Sequence, residues 1–182
     1  MRPLLTVEGD RIQLGALDDE RADGCYLSWL RDPEVTRFLE VRLVEYDAER
    51  LGSYVRAENE RPDSVLFGIY RKSDLQLIGT LKLSNIRQHH QSCEIGLMIG
   101  DKAEWGKGCA TEAIVLACRY AFETLKLHRV SAGCYSSNPA SARAFTKAGF
   151  ELEGRLREER LTPAGWVDTL LLGRINSSSR PN

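Results

Sequence analysis

Hydrophobic residues change their spacing several times along the chain, and each change predicts a strand or a helix. Strand-like spacing, either apolar throughout or alternating with polar residues, occurs at 11–17, 65–70, 75–86, 93–99, 129–135, 150–156 and 167–172. Helical segments are expected at 18–30, 47–59, 110–125 and 140–148, and Pro33 suits the first turn of a further short helix. This order predicts an α/β fold with a mixed, mostly antiparallel sheet of about seven strands and helices on both faces.

Polar residues mark where several of these elements begin and end. An acidic stretch at 18–20 supplies an N-cap and an acidic first turn for the first helix. Asp47 suits the N-cap of the second long helix, and Gly149 suits the C-cap of the last one. Short polar segments at 72–74 and 162–165 read as hairpin connections between strands. The strands at 65–70 and 75–86, and those at 150–156 and 167–172, are therefore expected to pair as hairpins.

The length of the chain, 182 residues, fits a single domain. We expect this domain to span residues 1–175, since neither an internal repeat nor a low-complexity linker interrupts it. The last seven residues, 176–182, are polar and are expected to form a disordered tail.

Charge and composition exclude some classes of function. Lys plus Arg number 25 against 26 Asp plus Glu, so the formal net charge of −1 gives no support to a nucleic-acid binder. The N-terminus lacks a long apolar run, which argues against a signal peptide or a membrane span and makes the cytoplasm the expected location. The sequence leaves open whether the protein forms a homodimer.

Cysteine and histidine usage argues against a metal site. The five cysteines are odd in number and show no Cys-x-x-Cys pair, so we expect reduced thiols, mostly in the core, rather than a disulfide framework. Only three histidines are present, and two of them, His89 and His90, lie in a polar stretch. No bound metal is therefore expected.

A glycine-rich segment after the strand 93–99 carries the strongest chemical signal. It reads EWGKGCATEA from Glu104 to Ala113 and leads directly into a long helix. The first N–H groups of a helix lack internal partners and lie at the positive end of its dipole. Gly106 and Gly108 remove Cβ atoms that would block close approach and permit left-handed backbone angles, so the N–H groups can converge on a diphosphate. Lys107 could add a cation at the rim.

Other interpretations of this segment are a glycine-rich turn that binds nothing, a P-loop and a dinucleotide-binding turn. A P-loop needs Gly-Lys followed by Ser or Thr, whereas Lys107 is followed by Gly108. A dinucleotide-binding turn needs Gly-x-Gly-x-x-Gly near the first strand. Neither pattern fits, and the strand and helix on either side favour a diphosphate cradle over an empty turn.

The segment WGKGCA from Trp105 to Ala110 resembles the acyl-CoA motif Gln/Arg-x-x-Gly-x-Gly/Ala of the GNAT N-acetyltransferases. The longer stretch WGKGCATEA is similar to the branch typified by the ribosomal-protein N-terminal acetyltransferases RimJ and RimL. Further matching segments are WLRDPEV at 29–35, IGT at 78–80, NPAS at 138–141, KAGF at 147–150, EGR at 153–155 and GWVD at 165–168. The resemblance covers nearly the whole chain, and one departure is Trp105 in place of the usual Gln or Arg.

This resemblance implies that acetyl-CoA is the cosubstrate. Its pantetheine arm is expected between two parallel strands that splay apart, 93–99 and 129–135, with its diphosphate on the glycine-rich loop. Asn138 is expected to bond the pantetheine arm, although an ordinary helix N-cap explains it equally well. The cofactor contacts that the resemblance implies are Leu97, Met98, Ile99, Trp105, Gly106, Lys107, Gly108, Cys109, Ala110, Thr111, Asn138 and Ser141.

Attack of an amine on a thioester requires the amine to lose a proton, because alkyl amines are mostly protonated at neutral pH. Glu94, on the strand that borders the predicted thioester, is the candidate base, and a solvated strand carboxylate is the alternative interpretation. Many family members carry a Tyr acid where this chain has Phe145, which cannot donate a proton. Ser141 is the candidate substitute, Tyr135 is a weaker one, and an ordinary first-turn residue is the alternative role for Ser141.

Three functions remain open from the sequence. The favoured one is acetyl transfer from acetyl-CoA to a primary amine, which could belong to a protein N-terminus, an amino sugar or a small molecule. The segments 29–35 and 46–59 should form the wall on the acceptor side. The second is a non-catalytic module that binds or senses acyl-CoA, and the third is a structural domain with a glycine turn.

Overall fold

The computed structural model describes residues 6–17 and 24–177, which form one twisted sheet flanked by helices. The strands are β1 (Val7–Glu8), β2 (Ile12–Ala16), β3 (Val65–Arg71), β4 (Leu77–Arg87), β5 (Ser92–Ile99), β6 (Arg129–Tyr135), β7 (Glu151–Thr162) and β8 (Gly165–Ile175). The α-helices are α1 (Cys25–Leu30), α2 (Pro33–Thr36), α3 (Ala48–Glu60), α4 (Cys109–Arg119) and α5 (Pro139–Lys147). Short 3₁₀ turns occur at Glu40–Leu43 and Lys102–Glu104.

The eight strands follow the order β1-β2-β3-β4-β5-β6-β8-β7, and all pairs are antiparallel except β5 with β6. The predicted fold class is therefore confirmed. The strand that sequence reasoning missed is β1, whose two residues are too few for a recognisable alternation.

Several predicted boundaries are confirmed, and others differ. Asp47 caps α3 by accepting a hydrogen bond from the Arg50 N–H at 2.8 Å, and Pro33 begins α2. The helix expected at 110–125 is α-helical to Arg119 and then continues as one π turn, Tyr120–Thr124. β7 extends six residues beyond the predicted 156, because its pairing with β8 continues past two register shifts to the turn at 163–164. The cap expected at 18–20 lies outside the described residues.

Two hydrophobic clusters cover the two faces of the sheet. One joins α4 and α5 to side chains such as Phe67 and Val130, and the other joins α1 and α3 to side chains such as Leu66 and Met98. Because Leu66 and Phe67 are neighbours on one strand, the clusters lie on opposite faces. Helices on both faces were predicted, and each face buries its own core.

The two parallel strands at the centre of the sheet separate along their length. β5 and β6 pair only at Ser92 with Arg129, Cys93 with Val130 and Glu94 with Ser131. Beyond that point β5 remains paired with β4 as far as Ile99, while β6 remains paired with β8 as far as Tyr135. Each strand is held by its outer neighbour, so a wedge opens between them.

Among the described helices, none is long and apolar enough to cross a membrane. All five cysteines are free thiols, and four of them are buried: Cys93, Cys109, Cys118 and Cys134. Of the predicted tail, Asn176 donates its N–H to the carbonyl of His128 at 2.8 Å, and residues 178–182 lie outside the described part of the chain.

Candidate functional site

A cavity of about 770 Å³ occupies the wedge between β5 and β6 and extends to the start of α4. One side is formed by the glycine-rich loop and the first turn of α4. The separated ends of β5 and β6 and the helix α5 also line the cavity. The far end is closed by the segment 34–40 and by Arg160 and Thr169 of the β7–β8 hairpin.

The glycine-rich loop has the backbone conformation that the sequence predicted. Gly106 and Gly108 have φ angles of 76° and 89°, a left-handed region that side chains with a Cβ rarely adopt. Helix α4 begins at Cys109, and its first internal bond of 3.0 Å runs from the Glu112 N–H to the Gly108 carbonyl. No side chain among the described residues caps this helix. The N–H groups of the first turn are thus left for a ligand, at the positive end of the dipole.

A buried carboxylate holds the start of this loop. Glu104 is buried and accepts a hydrogen bond from Arg71 at 2.8 Å, and Lys107 lies 3.4 Å from the same Oε1. Arg71, followed by Lys107, lowers the pKa of Glu104 below its usual range. Because Arg71 belongs to β3, this pair ties the loop to the sheet.

Glu112 has a structural role on the other side of the loop. Its Oε1 accepts hydrogen bonds from the N–H groups of Asp10 at 2.6 Å and Arg11 at 3.0 Å. The carboxylate therefore fastens the turn between β1 and β2 to the first turn of α4. The guanidinium of Arg11 also donates to the carbonyl of Lys107 at 2.5 Å.

Trp105, the residue that departs from the usual family motif, connects the loop to the sheet. Its indole N–H donates to the carbonyl of Ile99 at 2.8 Å, which joins the loop to the end of β5. One of the backbone groups expected near the pantetheine arm therefore has a side-chain partner. The ring itself remains partly exposed and lines the cavity.

The cavity brings together nearly all the residues predicted to bind the cofactor. Those that line it are Leu97, Met98, Ile99, Trp105, Gly106, Gly108, Cys109, Ala110, Thr111, Asn138 and Ser141. Lys107 is outside this set, and its ammonium group lies 3.4 Å from Oε1 of Glu104.

Glu94, the predicted base, is exposed and is not among the residues that line the cavity. It occupies the last position at which β5 and β6 are still paired, opposite Ser131. Its neighbours Ile95 and Gly96 do line the cavity. Glu94 therefore borders the narrow end of the wedge, on the face of β5 that carries Met98.

Helix α5 places Asn138 and Ser141 beside the wedge. Asn138 caps the helix by accepting a hydrogen bond from the Ser141 N–H at 3.2 Å, so the predicted cap is confirmed. The Ser141 hydroxyl faces Cys134 of β6. Burial raises the pKa of the Cys134 thiol, and the hydrogen bond with Ser141 partly opposes that rise. Phe145 is buried edge-on against Phe150, with ring centroids 5.0 Å apart.

The far end of the cavity contains a polar cluster that sequence reasoning did not identify as a unit. The Tyr135 hydroxyl donates a short hydrogen bond to Oε1 of Glu40 and accepts one from Arg42 at 2.9 Å. Arg160 lies 3.7 Å from the same carboxylate oxygen. Burial, followed by the hydrogen bond to Glu40, raises the pKa of Tyr135. Because Glu40 lies 95 residues from Tyr135, no local spacing pattern could have linked them.

Within the described residues, no group of three or more His, Cys, Asp or Glu side chains is placed to hold a metal ion.

Comparison with known proteins gives consistent results. Residues 11–151 match the family model described as the acetyltransferase (GNAT) domain. The chain is 40% identical over 134 residues to the probable N-acetyltransferase YjcK of Bacillus subtilis (strain 168), which covers 73% of each protein. It is 31% identical over 123 residues to the ribosomal protein uS5-alanine N-acetyltransferase of Escherichia coli (strain K12), covering 67% of this chain and 62% of that one.

The fold is also similar to that of a solved enzyme. The spermidine N-acetyltransferase from Vibrio cholerae, in complex with CoA and spermine, superposes with a TM-score of 0.83 at 22% identity. The match covers 93% of this chain and 98% of that one. The resemblance that the glycine-rich loop indicated is thereby confirmed, and the chain belongs to the GNAT acetyltransferase family.

Proposed function

We propose that the protein is an N-acetyltransferase that uses acetyl-CoA to acetylate a primary amine. The observation that carries this proposal is the loop at 106–108. Two glycines with positive φ lead into α4, and no described side chain caps its first N–H groups, which lie at one end of a cavity that continues into the wedge between β5 and β6. A diphosphate suits the helix terminus, and an extended pantetheine arm suits an opening between two strands.

The two ends of the cavity differ in the way this reaction requires. The loop end offers backbone donors for an anion, whereas the far end offers a carboxylate, a phenol and arginines from separate segments. We assign the loop end to the coenzyme and the far end to the acceptor. The wall at 29–35 that sequence reasoning expected contributes to the far end through Glu34 and Val35.

We assign the base and the acid from the positions of Glu94 and Ser141 relative to the wedge. Glu94 borders the wedge where the thioester should lie, so we retain it as the group that takes a proton from the amine, directly or through water. The nitrogen then bonds to the acetyl carbon while the carbon–sulfur bond breaks. Ser141 is retained as the donor to the departing sulfur, since it lines the cavity and Phe145 cannot donate. A thiolate is a tolerable leaving group, with a thiol pKa of about 8.5, so this donor is less essential than the base.

The similar proteins suggest candidate classes of acceptor. A protein N-terminus is one candidate, because a similar protein is an alanine N-acetyltransferase of ribosomal protein uS5. A polyamine is another, because the spermidine enzyme shares the fold. The sequence also leaves amino sugars open.

The experiment that tests this proposal measures CoA release from acetyl-CoA with three acceptors. These are a short peptide beginning with alanine, spermidine and glucosamine. We expect release above background with at least one of them, together with saturable acetyl-CoA binding by calorimetry. Binding without release in any reaction would favour a non-catalytic acyl-CoA sensor, and the absence of binding would overturn both proposals.

A further inference from the structure

Glu40 stands out at the acceptor end because, in the part of the chain that the structure describes, the recorded partners approach only one of its two carboxylate oxygens. The Tyr135 hydroxyl, Arg42 and Arg160 all approach Oε1, the two arginines at 3.7 Å. No described residue donates a hydrogen bond to Oε2. The side chain lines the cavity and is about half exposed, at 52%.

The arginine next to Glu40 is occupied by other partners. Arg42 donates to the Leu39 carbonyl at 3.0 Å and to the Tyr135 hydroxyl at 2.9 Å through Nη1. Its Nη2 donates to the carbonyl of Leu161 at 3.1 Å, near the tip of the β7–β8 hairpin. Arg42 therefore joins the 3₁₀ turn to the hairpin and leaves the carboxylate of Glu40 to be oriented mainly by Tyr135.

Tyr135 fixes this carboxylate from a rigid position. It is the last residue of β6, where its pairing with Thr169 of β8 closes the ladder, and it is only 6% exposed. Its ring also packs edge-on against Phe38, with centroids 6.3 Å apart. A buried tyrosine held on a strand is well suited to position a carboxylate on a short turn.

One further polar group at the same end of the cavity is unpaired. Thr169, which pairs with Tyr135 and lines the cavity, is 6% exposed, and its Oγ1 has no hydrogen-bond partner among the described residues. Because this oxygen is itself shielded from solvent, it is not a contact for the acceptor. The acceptor contact is therefore assigned to Glu40 alone.

We propose that Glu40 binds the ammonium form of the acceptor through Oε2, with Tyr135 as the residue that positions the carboxylate. This inference rests on the proposed function and adds the residue that selects the acceptor. A carboxylate held by one oxygen can accept a charge-assisted hydrogen bond from an ammonium group with the other. Acceptors with a cationic amine should therefore be preferred over acceptors whose amine is neutral at the same pH.

Steady-state kinetics of Glu40→Gln test the proposal, with spermidine and the alanine-starting peptide as acceptors. Loss of a charge-assisted hydrogen bond should raise the KM for the acceptor by about tenfold or more. The dissociation constant for acetyl-CoA and the kcat at saturating acceptor should change by less than threefold. Tyr135→Phe should raise the acceptor KM by a smaller factor, because the two arginines still contact Oε1.

The matched control is Glu153→Gln, which removes a charge outside the cavity. The Glu153 carboxylate is held by Arg129 at 2.8 Å and is not among the residues that line the cavity, so its loss should change the acceptor KM by less than threefold. An active wild type with an unchanged acceptor KM in Glu40→Gln, or an equal rise in Glu153→Gln, would overturn this inference alone. A wild-type protein that releases no CoA with spermidine, the alanine-starting peptide or glucosamine would overturn the proposed function and this inference with it.

Discussion

Replacing Gly108 with valine separates binding of the coenzyme from stability of the fold. Gly108 has φ 89° and ψ −1°, and a Cβ built there would meet only the Arg11 guanidinium, at 3.9 Å. A residue with a Cβ pays about 1–2 kcal/mol to hold a left-handed conformation, and β-branching adds to that cost. Since the surroundings are open, we expect the loop to relax out of this conformation rather than unfold the protein.

The relaxed loop would no longer aim its N–H groups at one point. Losing a single hydrogen bond to a charged group costs about 1.5–3 kcal/mol, and 1.4 kcal/mol corresponds to a tenfold change in affinity. Calorimetric titration should therefore show acetyl-CoA binding at least about tenfold weaker. The melting temperature should fall by no more than about 8 °C, taking 2–4 °C per kcal/mol for a chain of this size.

Gly165 offers a matched control for the same strain. It has φ 109° in the turn between β7 and β8, and a Cβ there would meet nothing within 4 Å. Gly165→Val should lower the melting temperature by a similar amount and leave acetyl-CoA affinity within about twofold of the wild type. A folded Gly108→Val protein with unchanged affinity, or an equal loss of affinity in both variants, would refute the reasoning.

Three further predictions concern the base, the acid and the loop anchor. Glu94→Gln should lower kcat by about tenfold or more without changing acetyl-CoA affinity, and a steady-state rate equal to that of the wild type would remove Glu94 as the base. Ser141→Ala should lower kcat less than Glu94→Gln does, because a thiolate departs readily. Measuring kcat of the two variants under identical conditions tests this order. Arg71→Met should lower the melting temperature and weaken acetyl-CoA binding, since it frees Glu104. Arg71 lowers the pKa of Glu104, so the stabilisation that this ion pair gives the folded protein is fully present above about pH 4.3, the usual pKa of a glutamate. It is lost as the pH falls through the lower pKa that Glu104 has in the folded state. A difference in melting temperature between the wild type and Arg71→Met that stays constant down to pH 3 would contradict this prediction.

The elements that sequence reasoning predicted well are those with strong local signals. The loop at 104–111 combines glycines, a preceding strand and a following amphipathic helix, and each of these signals is contained within a few residues. The α5 helix was similarly marked by Asn138 as its N-cap and Gly149 as its C-cap. Local capping chemistry and hydrophobic period decide such elements, so their positions followed from the sequence.

The acceptor end could not be predicted in the same way, because its contacts join distant parts of the chain. Glu40 and Tyr135 are 95 residues apart, and Arg42 reaches a carbonyl 119 residues away. Glu40 and Arg42 both lie on the 3₁₀ turn Glu40–Leu43, which has no hydrophobic period of its own. The predicted contact of Lys107 with the coenzyme stays a prediction, and its ammonium group lies 3.4 Å from the buried Glu104.

The proposed function requires that the start of α4 holds the diphosphate of acetyl-CoA while the wedge between β5 and β6 holds the pantetheine arm. A crystal structure of the protein grown with acetyl-CoA measures this directly. We predict phosphate oxygens within hydrogen-bonding distance of the backbone nitrogens between Gly108 and Thr111, with the thioester beside Gly96. A diphosphate bound at any other place on the protein would contradict the account.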